Sequence, residues 1–176
     1  VAHDFQAAGV VLRKDGELHG HVNVGIIASV AQGVLSDAVE EFTAQHPKVT
    51  LTVTDGYSAT LADRVAGGEL DAAFINKPRR PLALNLEHVV DEDMVLVTGA
   101  DYHQHLPASV PLRDVIALDL ALPTRKHGLR LILESFAQAE DIDLTPVFEF
   151  DSIVSIIKLV ERTRFVTLLP RVGISN

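Results

Sequence analysis

Cysteine is absent from the 176 residues. This excludes a disulfide scaffold, a thiolate metal site and a thiol nucleophile together, and it fits a reducing cytoplasm. Tryptophan is absent too, and aromatic residues make up 5% of the chain, so aliphatic side chains must build the core. Positive charge is scarce: 15 Lys and Arg face 24 Asp and Glu, for a formal net charge of −9. Such a surface repels nucleic acid and anionic lipid, so any DNA contact belongs to another segment. No run reaches the roughly 18 apolar residues of a membrane span. The opening "VAHDFQAAGVVLRKDGE" lacks the order of a secretion signal, and it lacks Met, which predicts a fragment or a trimmed chain. G-x-S-x-G, H-E-x-x-H, the P-loop and G-x-G-x-x-G are all missing, and no pair of carboxylates stands out as acid and base. The expectation is a protein that is not an enzyme and has no metal or cofactor.

What is present is 47% hydrophobic residues with 22% charged, a globular composition of one domain or two small lobes. The start reads as helix to about Lys14, with Gly16 and Gly20 after it. "HVNVGIIA" is nearly continuous in apolar character and predicts a strand buried on both faces. From Ser29 the period changes: Ala31, Leu35, Ala38 and Phe42 share a helical face that ends before Pro47. "KVTLTVTDG" alternates as a strand, "SATLADRVAGG" predicts a helix with Ser58 as cap, and "LDAAFIN" is a third strand. Strand, helix, strand, helix, strand predicts a parallel sheet. After the loop "KPRRPLALN", "LEHVVDEDMVLVTGA" reads as two extended segments broken at Asp91–Asp93. The alternation then restarts: strand "VIALDLALP", helix 125–140, strand "TPVFEFD", helix "SIVSIIKLVERT" and strand "RFVTLLP". The fold class expected is α/β, as two similar lobes that meet near residues 97–101.

In open parallel sheets, ligands bind beyond the carboxyl ends of the strands, where helix N-termini present free N–H groups. Four such tips are legible: Ser29 as N-cap, Asn76 at the end of "FIN", Thr124 as N-cap, and Asp151 or Ser152 as N-cap. A cap hydroxyl has a sufficient structural role worth about 1 kcal/mol, but recurrence in both lobes points to a shared cleft. "LPTRKHGLR" adds a puzzle, because Arg125, Lys126 and His127 would sit in a helical first turn, where the dipole disfavours cations. Either an anion binds there, or the cations extend into screening water. His103 and His105 share a spacing that suits a metal but lack a third ligand. Asp71 reads as a turn or capping residue, and Glu134, Glu140 and Asp141 as a solvated helix face.

The stretch "GELHGHVNVGIIASVAQGVLSDAVEEFTAQHPKVTLTVTDGYSATLADRVAGGELDAAF" resembles the start of the effector-binding domain of LysR-type transcriptional regulators. The pattern is a G-x-(L/V)-x-(L/V)-G strand, a helix ending F-x-x-x-x-P, then V-x-L-x-(V/L) and L-x-x-G-x-L-D. The later segments "LALPTRKHGLR", "FEFDSIVSIIKLVE" and "VTLLP" are similar to the nitrogen assimilation control branch. The similarity runs from about Gly16 to Pro170. It implies two Rossmann-like lobes with a cleft, like type 2 periplasmic binding proteins. Residues 1–15 would end a linker helix, 16–96 would form lobe I, and 97–176 an incomplete lobe II without its return to lobe I. A DNA-binding winged helix-turn-helix would precede residue 1.

Carried over by position, the resemblance places effector contacts on Ser29, the Val30 amide, Asn76, Thr98, Thr124, Arg125 and His127; the fourth helix tip adds Ser152. It implies a small-molecule effector, which the helix tips and Arg125 make anionic, and a homodimer or homotetramer, with no membrane partner. A solute-binding protein for transport is the alternative on the same architecture. Thr163 and Arg164 stand where the family shows glycines, so the turn into the last strand is expected to differ.

Overall fold

A computed structural model of the chain describes residues 10–12, 18–103 and 106–174. Two compact units result, one ending at Val89 and the other spanning Val90–Ile174.

The first unit contains β1 (Val10–Leu12), β2 (Leu18–Ile27), α1 (Ala28–Gln45), β3 (Val49–Gly56), α2 (Ser58–Ala66) and β4 (Ala72–Phe74). β2 is its hub. It pairs in parallel with β3, Gly20 opposite Val49 through Ile27 opposite Gly56, and in parallel with β4 at Val24–Ile26. The strand–helix–strand–helix–strand order is therefore present with parallel pairing. The expected linker helix is corrected at Val10–Leu12, which pairs antiparallel with β2. β-branched Val10 and Val11 suit an extended strand, and β4 pairs with β2 only at Val24–Ile26. Residues 1–9 and 13–15 of that expected helix lie outside the described residues.

Ile27, Leu61 and Leu70 form a buried cluster, with Val30, Val65, Ala73 and Ile75 packed against it. Gly25 makes this possible: a Cβ there would meet Leu61 Cδ2 at 2.8 Å and Leu70 Cδ1 at 2.9 Å. A side chain at this position would have to displace the Leu61 and Leu70 side chains. On α1 the expected stripe is less covered than its spacing suggests, since Ala38 is exposed and Leu35 and Phe42 are half-buried.

The second unit contains β5 (Met94–Val97), α3 (Leu112–Val115), β6 (Ala121–Pro123), α4 (Gly128–Ala139), β7 (Phe148–Phe150), α5 (Ile153–Arg162) and β8 (Thr167–Pro170). β6 and β7 pair in parallel, β5 and β8 antiparallel, and the parallel bridge between Leu120 and Val166 links the two pairs. Pairing with β8 draws β5 into this unit, so the division falls before Val90 rather than at residue 97. α4 buries Leu129, Leu133 and Ala137, four residues apart, and α5 buries Ile153, Ile156 and Val160. Both spacings trace one helical face.

Several expected elements change. "VIALDLALP" is not one strand: Pro111 starts a single helical turn through Val115, and only Ala121–Pro123 extends. Proline before a helix presets the backbone for that turn. Of "LEHVVDEDMVLVTGA", Met94–Val97 alone is strand. The turn into β8 needs no glycine. Thr163 is extended (φ −141°), and its Oγ1 donates to Leu159 O at 2.7 Å and accepts from Phe165 N at 3.3 Å.

Candidate effector site

In the first unit β2 runs straight into α1. The N-cap is Ile27, whose side chain makes no capping bond, and the helix begins at Ala28. Ser29 is therefore not the cap; it lies in the first turn and is 6% exposed. The first N–H groups of a helix have no intrahelical acceptor, so the Ser29 and Val30 amides are left without a cap side chain. The Val30 side chain itself packs on the core. Ser58 is not a cap either, because α2 starts on it after Tyr57. Its Oγ instead accepts the Asn76 N–H at 3.3 Å, fixing the loop beyond β4. Asp71, expected in a turn or as a cap, instead ties the start of β4 to β2, its Oδ2 accepting Asn23 N–H at 2.7 Å.

In the second unit the puzzle of the three cations resolves by position. α4 starts at Gly128, with His127 in the cap position and no capping side chain. Thr124 is thus not a cap, and Arg125, Lys126 and His127 precede the first turn. Thr124 to His127 form a β-turn, closed by His127 N–H donating to Thr124 O at 3.0 Å. The chain places its own anions beside these cations. Arg125 Nε meets Glu134 Oε1 at 2.8 Å, and Lys126 Nζ lies 3.6 Å from Asp151 Oδ2.

Asp151 is the centre of the cluster. Thr124 Oγ1 donates to its Oδ1 at 2.5 Å, and His127 Nε2 lies 2.7 Å from its backbone oxygen. A carbonyl only accepts, so Nε2 carries the proton, and in the neutral ring Nδ1 is the acceptor. The Thr124 hydroxyl bond, first, holds the Asp151 carboxyl below its ordinary value against an upward push from desolvation, and the nearby Lys126 ammonium adds to the lowering. The Glu134 bond and charge push the Arg125 guanidinium up. Ser152 caps α5 as expected, accepting Ser155 N–H at 3.2 Å. Thr98 follows directly on β5 and is half-buried.

Glu134 corrects an expectation: its side chain is 18% exposed and serves Arg125 and Arg130 together. Arg130 and Glu149 are polar residues the sequence reading missed. The signal for the first was the Arg130–Glu134 spacing of four on an otherwise apolar helix face. A surface hollow of about 130 Å³ is bordered by Arg125, Glu134, Gln138, Asp143 and Thr145 and includes none of Thr124, His127 and Ser152. His105 lies outside the described residues; among those described, no group of three or more ligating side chains could hold a metal. Among them too, no helix is long and apolar enough to cross a membrane.

Residues 15–176 match the family model described as the LysR substrate binding domain. Among curated proteins, the chain is 26% identical over 171 residues to the HTH-type transcriptional regulator GltR of Bacillus subtilis, covering 97% of this chain and 56% of that protein. It is 30% identical over 153 residues to the HTH-type transcriptional regulator GalR of Pseudomonas putida, covering 84% and 38%. The chain spans about half the length of the curated relatives it matches first. Solved structures of the same fold include the effector-binding domain of QuiR in complex with shikimate (16% identity, TM-score 0.75, 87% of this chain and 74% of that one). Full-length BenM (17%, 0.75, 88% and 52%) is another. The reduced OxyR regulatory domain from Pseudomonas aeruginosa (22%, 0.74, 88% and 74%) is a third. The relatives are named as regulators rather than enzymes or transporters, and the fold is that of type 2 periplasmic binding proteins.

Proposed function

The chain belongs to the LysR substrate-binding domain family, and from that premise we propose that it is the effector-sensing part of a cytoplasmic LysR-type regulator that takes a small anionic metabolite. The proposed contacts fall in two groups. Ser29, Val30 and Asn76 belong to the first unit, and Thr98, Thr124, Arg125, His127 and Ser152 to the second. The observation that carries the reading is the start of α1. Its cap is an isoleucine without a capping bond, so first-turn amides beside the buried Ser29 are available to a carboxylate, and the helix dipole favours negative charge there.

In this reading the effector acts by binding one arrangement of the protein better than another, which biases a homodimer or homotetramer on DNA. DNA contact falls to a helix-turn-helix part outside these 176 residues, in keeping with the net charge of −9. The transport alternative draws no support from the named relatives.

A panel of small carboxylates, hydroxylated ones included, screened by melting temperature tests the proposal. A binder should emerge, and Ser29→Ala should weaken it by about 1–3 kcal/mol if the hydroxyl makes a charge-assisted bond. A panel in which no carboxylate raises the melting temperature overturns the reading.

A further inference from the structure

Arg130 is the charged side chain buried most completely among the described residues, at 1% exposure. It grips three partners. Nε donates to Glu134 Oε1 at 3.0 Å. One nitrogen, Nη1, donates both to Pro123 O at 3.1 Å and to Glu149 Oε1 at 2.6 Å.

Pro123 is the last residue of β6, and Thr124 follows it; Glu149 lies inside β7, two residues before Asp151. The β6–β7 ladder is three residues long, and its final position pairs Pro123 with Phe150. Proline has no N–H to donate, so its own amide adds no rung there. A single guanidinium nitrogen supplies a cross-strand tie at that end instead. Immediately beyond it, Thr124 N–H donates to Phe150 O at 3.0 Å, and Thr124 Oγ1 reaches Asp151.

We propose that Arg130 is a positioning residue: by clamping the carboxyl ends of β6 and β7 together, it sets the Thr124–Asp151 contact without touching a ligand. This rests on the reading that Thr124 and its neighbours belong to the effector site. The planar fork of arginine can hold two acceptors in fixed directions, whereas an ammonium on a flexible stem cannot.

An ordinary buried ion pair would affect stability and nothing else; a clamp also governs Asp151. The test follows the Asp151 carboxyl through its titration by carbon-detected NMR, with no ligand added. Thr124→Val supplies the reference, since it deletes the donor outright and lets the Asp151 midpoint rise. Arg130→Lys keeps the charge, so its field on Asp151 is nearly unchanged, and it should raise the midpoint by at least half of the Thr124→Val change.

Glu149→Ala, which deletes the acceptor, provides a second variant at a half-exposed position. Removing a negative neighbour would by itself lower the Asp151 midpoint, so a rise there reports lost positioning and has the opposite sign to the direct effect. If Arg130→Lys fails to fold, the direction in Glu149→Ala decides alone. A midpoint that stays at or below the wild-type value in the folded variants overturns the proposal. A failed carboxylate screen would strike the effector reading but leave this titration untouched, so the two failures are distinguishable.

Discussion

Asn23 and Asp71 hold each other twice across the β2 edge. The Asp71 carboxylate accepts Asn23 N–H at 2.7 Å, and Asp71 N–H donates to Asn23 O at 2.9 Å. The Asp of L-x-x-G-x-L-D is thereby a backbone tie that starts β4 beside its neighbour. Asp71→Ala leaves a half-buried donor without its partner and should cost about 1–3 kcal/mol. Asp71→Asn keeps an acceptor oxygen and should cost less. Urea unfolding of the two variants ranks them; equal stability to wild type would remove the tie.

Gly25 allows α2 to lie against β2. Gly25→Ala forces a methyl to within 2.8 Å of Leu61 and 2.9 Å of Leu70. Overpacking of this kind costs roughly 1–3 kcal/mol. The melting temperature should fall, and Leu61→Ala combined with Gly25→Ala should recover part of the clash term relative to additivity.

Thr167 in β8 is fully buried, and its Oγ1 has no hydrogen-bond partner. Valine has nearly the same shape and no hydroxyl to desolvate, and an unsatisfied buried group costs on the order of 1–3 kcal/mol. Thr167→Val should therefore raise the melting temperature. A lower value would point to a partner that the hydroxyl meets in solution.

Asp151 should report its surroundings through pH. Its carboxyl is held below the ordinary 3.8 mainly by the Thr124 hydroxyl. A group depressed in the folded state contributes stability that is complete above its ordinary value and is lost as pH falls through the lowered one. The advantage of wild type over Thr124→Val should accordingly be constant near neutrality and shrink below about pH 4. Melting temperatures of both proteins across pH 2–7 would show it; a gap that persists undiminished to the acid end would remove Asp151 as the cause.

Much of the fold was legible from period alone. β2, α1, β3, α2 and α5 lie where the change from near-continuous or alternating apolar character to a helical face put them. The exceptions have physical reasons. Val10–Leu12 is extended because a neighbouring strand offers an edge. Val115 belongs to a proline-started helical turn rather than to β6. The boundary between the units moved because β5 pairs with β8, seventy residues on. For the proposed site the sequence offered positions, and the bonds those residues make were not legible in it. Ser29, Thr124 and Ser58 each had the chemistry of a cap, yet only Ser152 caps, because a helix start is decided by backbone torsions that a neighbouring strand imposes. Glu134 looked like a surface charge and Arg130 went unread; packing of α4 over β6 buried Arg130 and made Glu134 its anchor.

The order of residues determined by itself the class of the molecule: aliphatic strands too apolar for a wet face, helices between them, no thiol or catalytic pairing, and a net negative surface. Those are properties of local composition and spacing, which any chain carries before it folds. Tertiary structure alone decided which charge meets which. Arg125 and Lys126 have their anionic partners 9 and 25 residues further along, and only the parallel pairing of β6 with β7 brings Asp151 beside Thr124. Coulomb and hydrogen-bond energies depend on distance in space, and sequence separation holds no record of it.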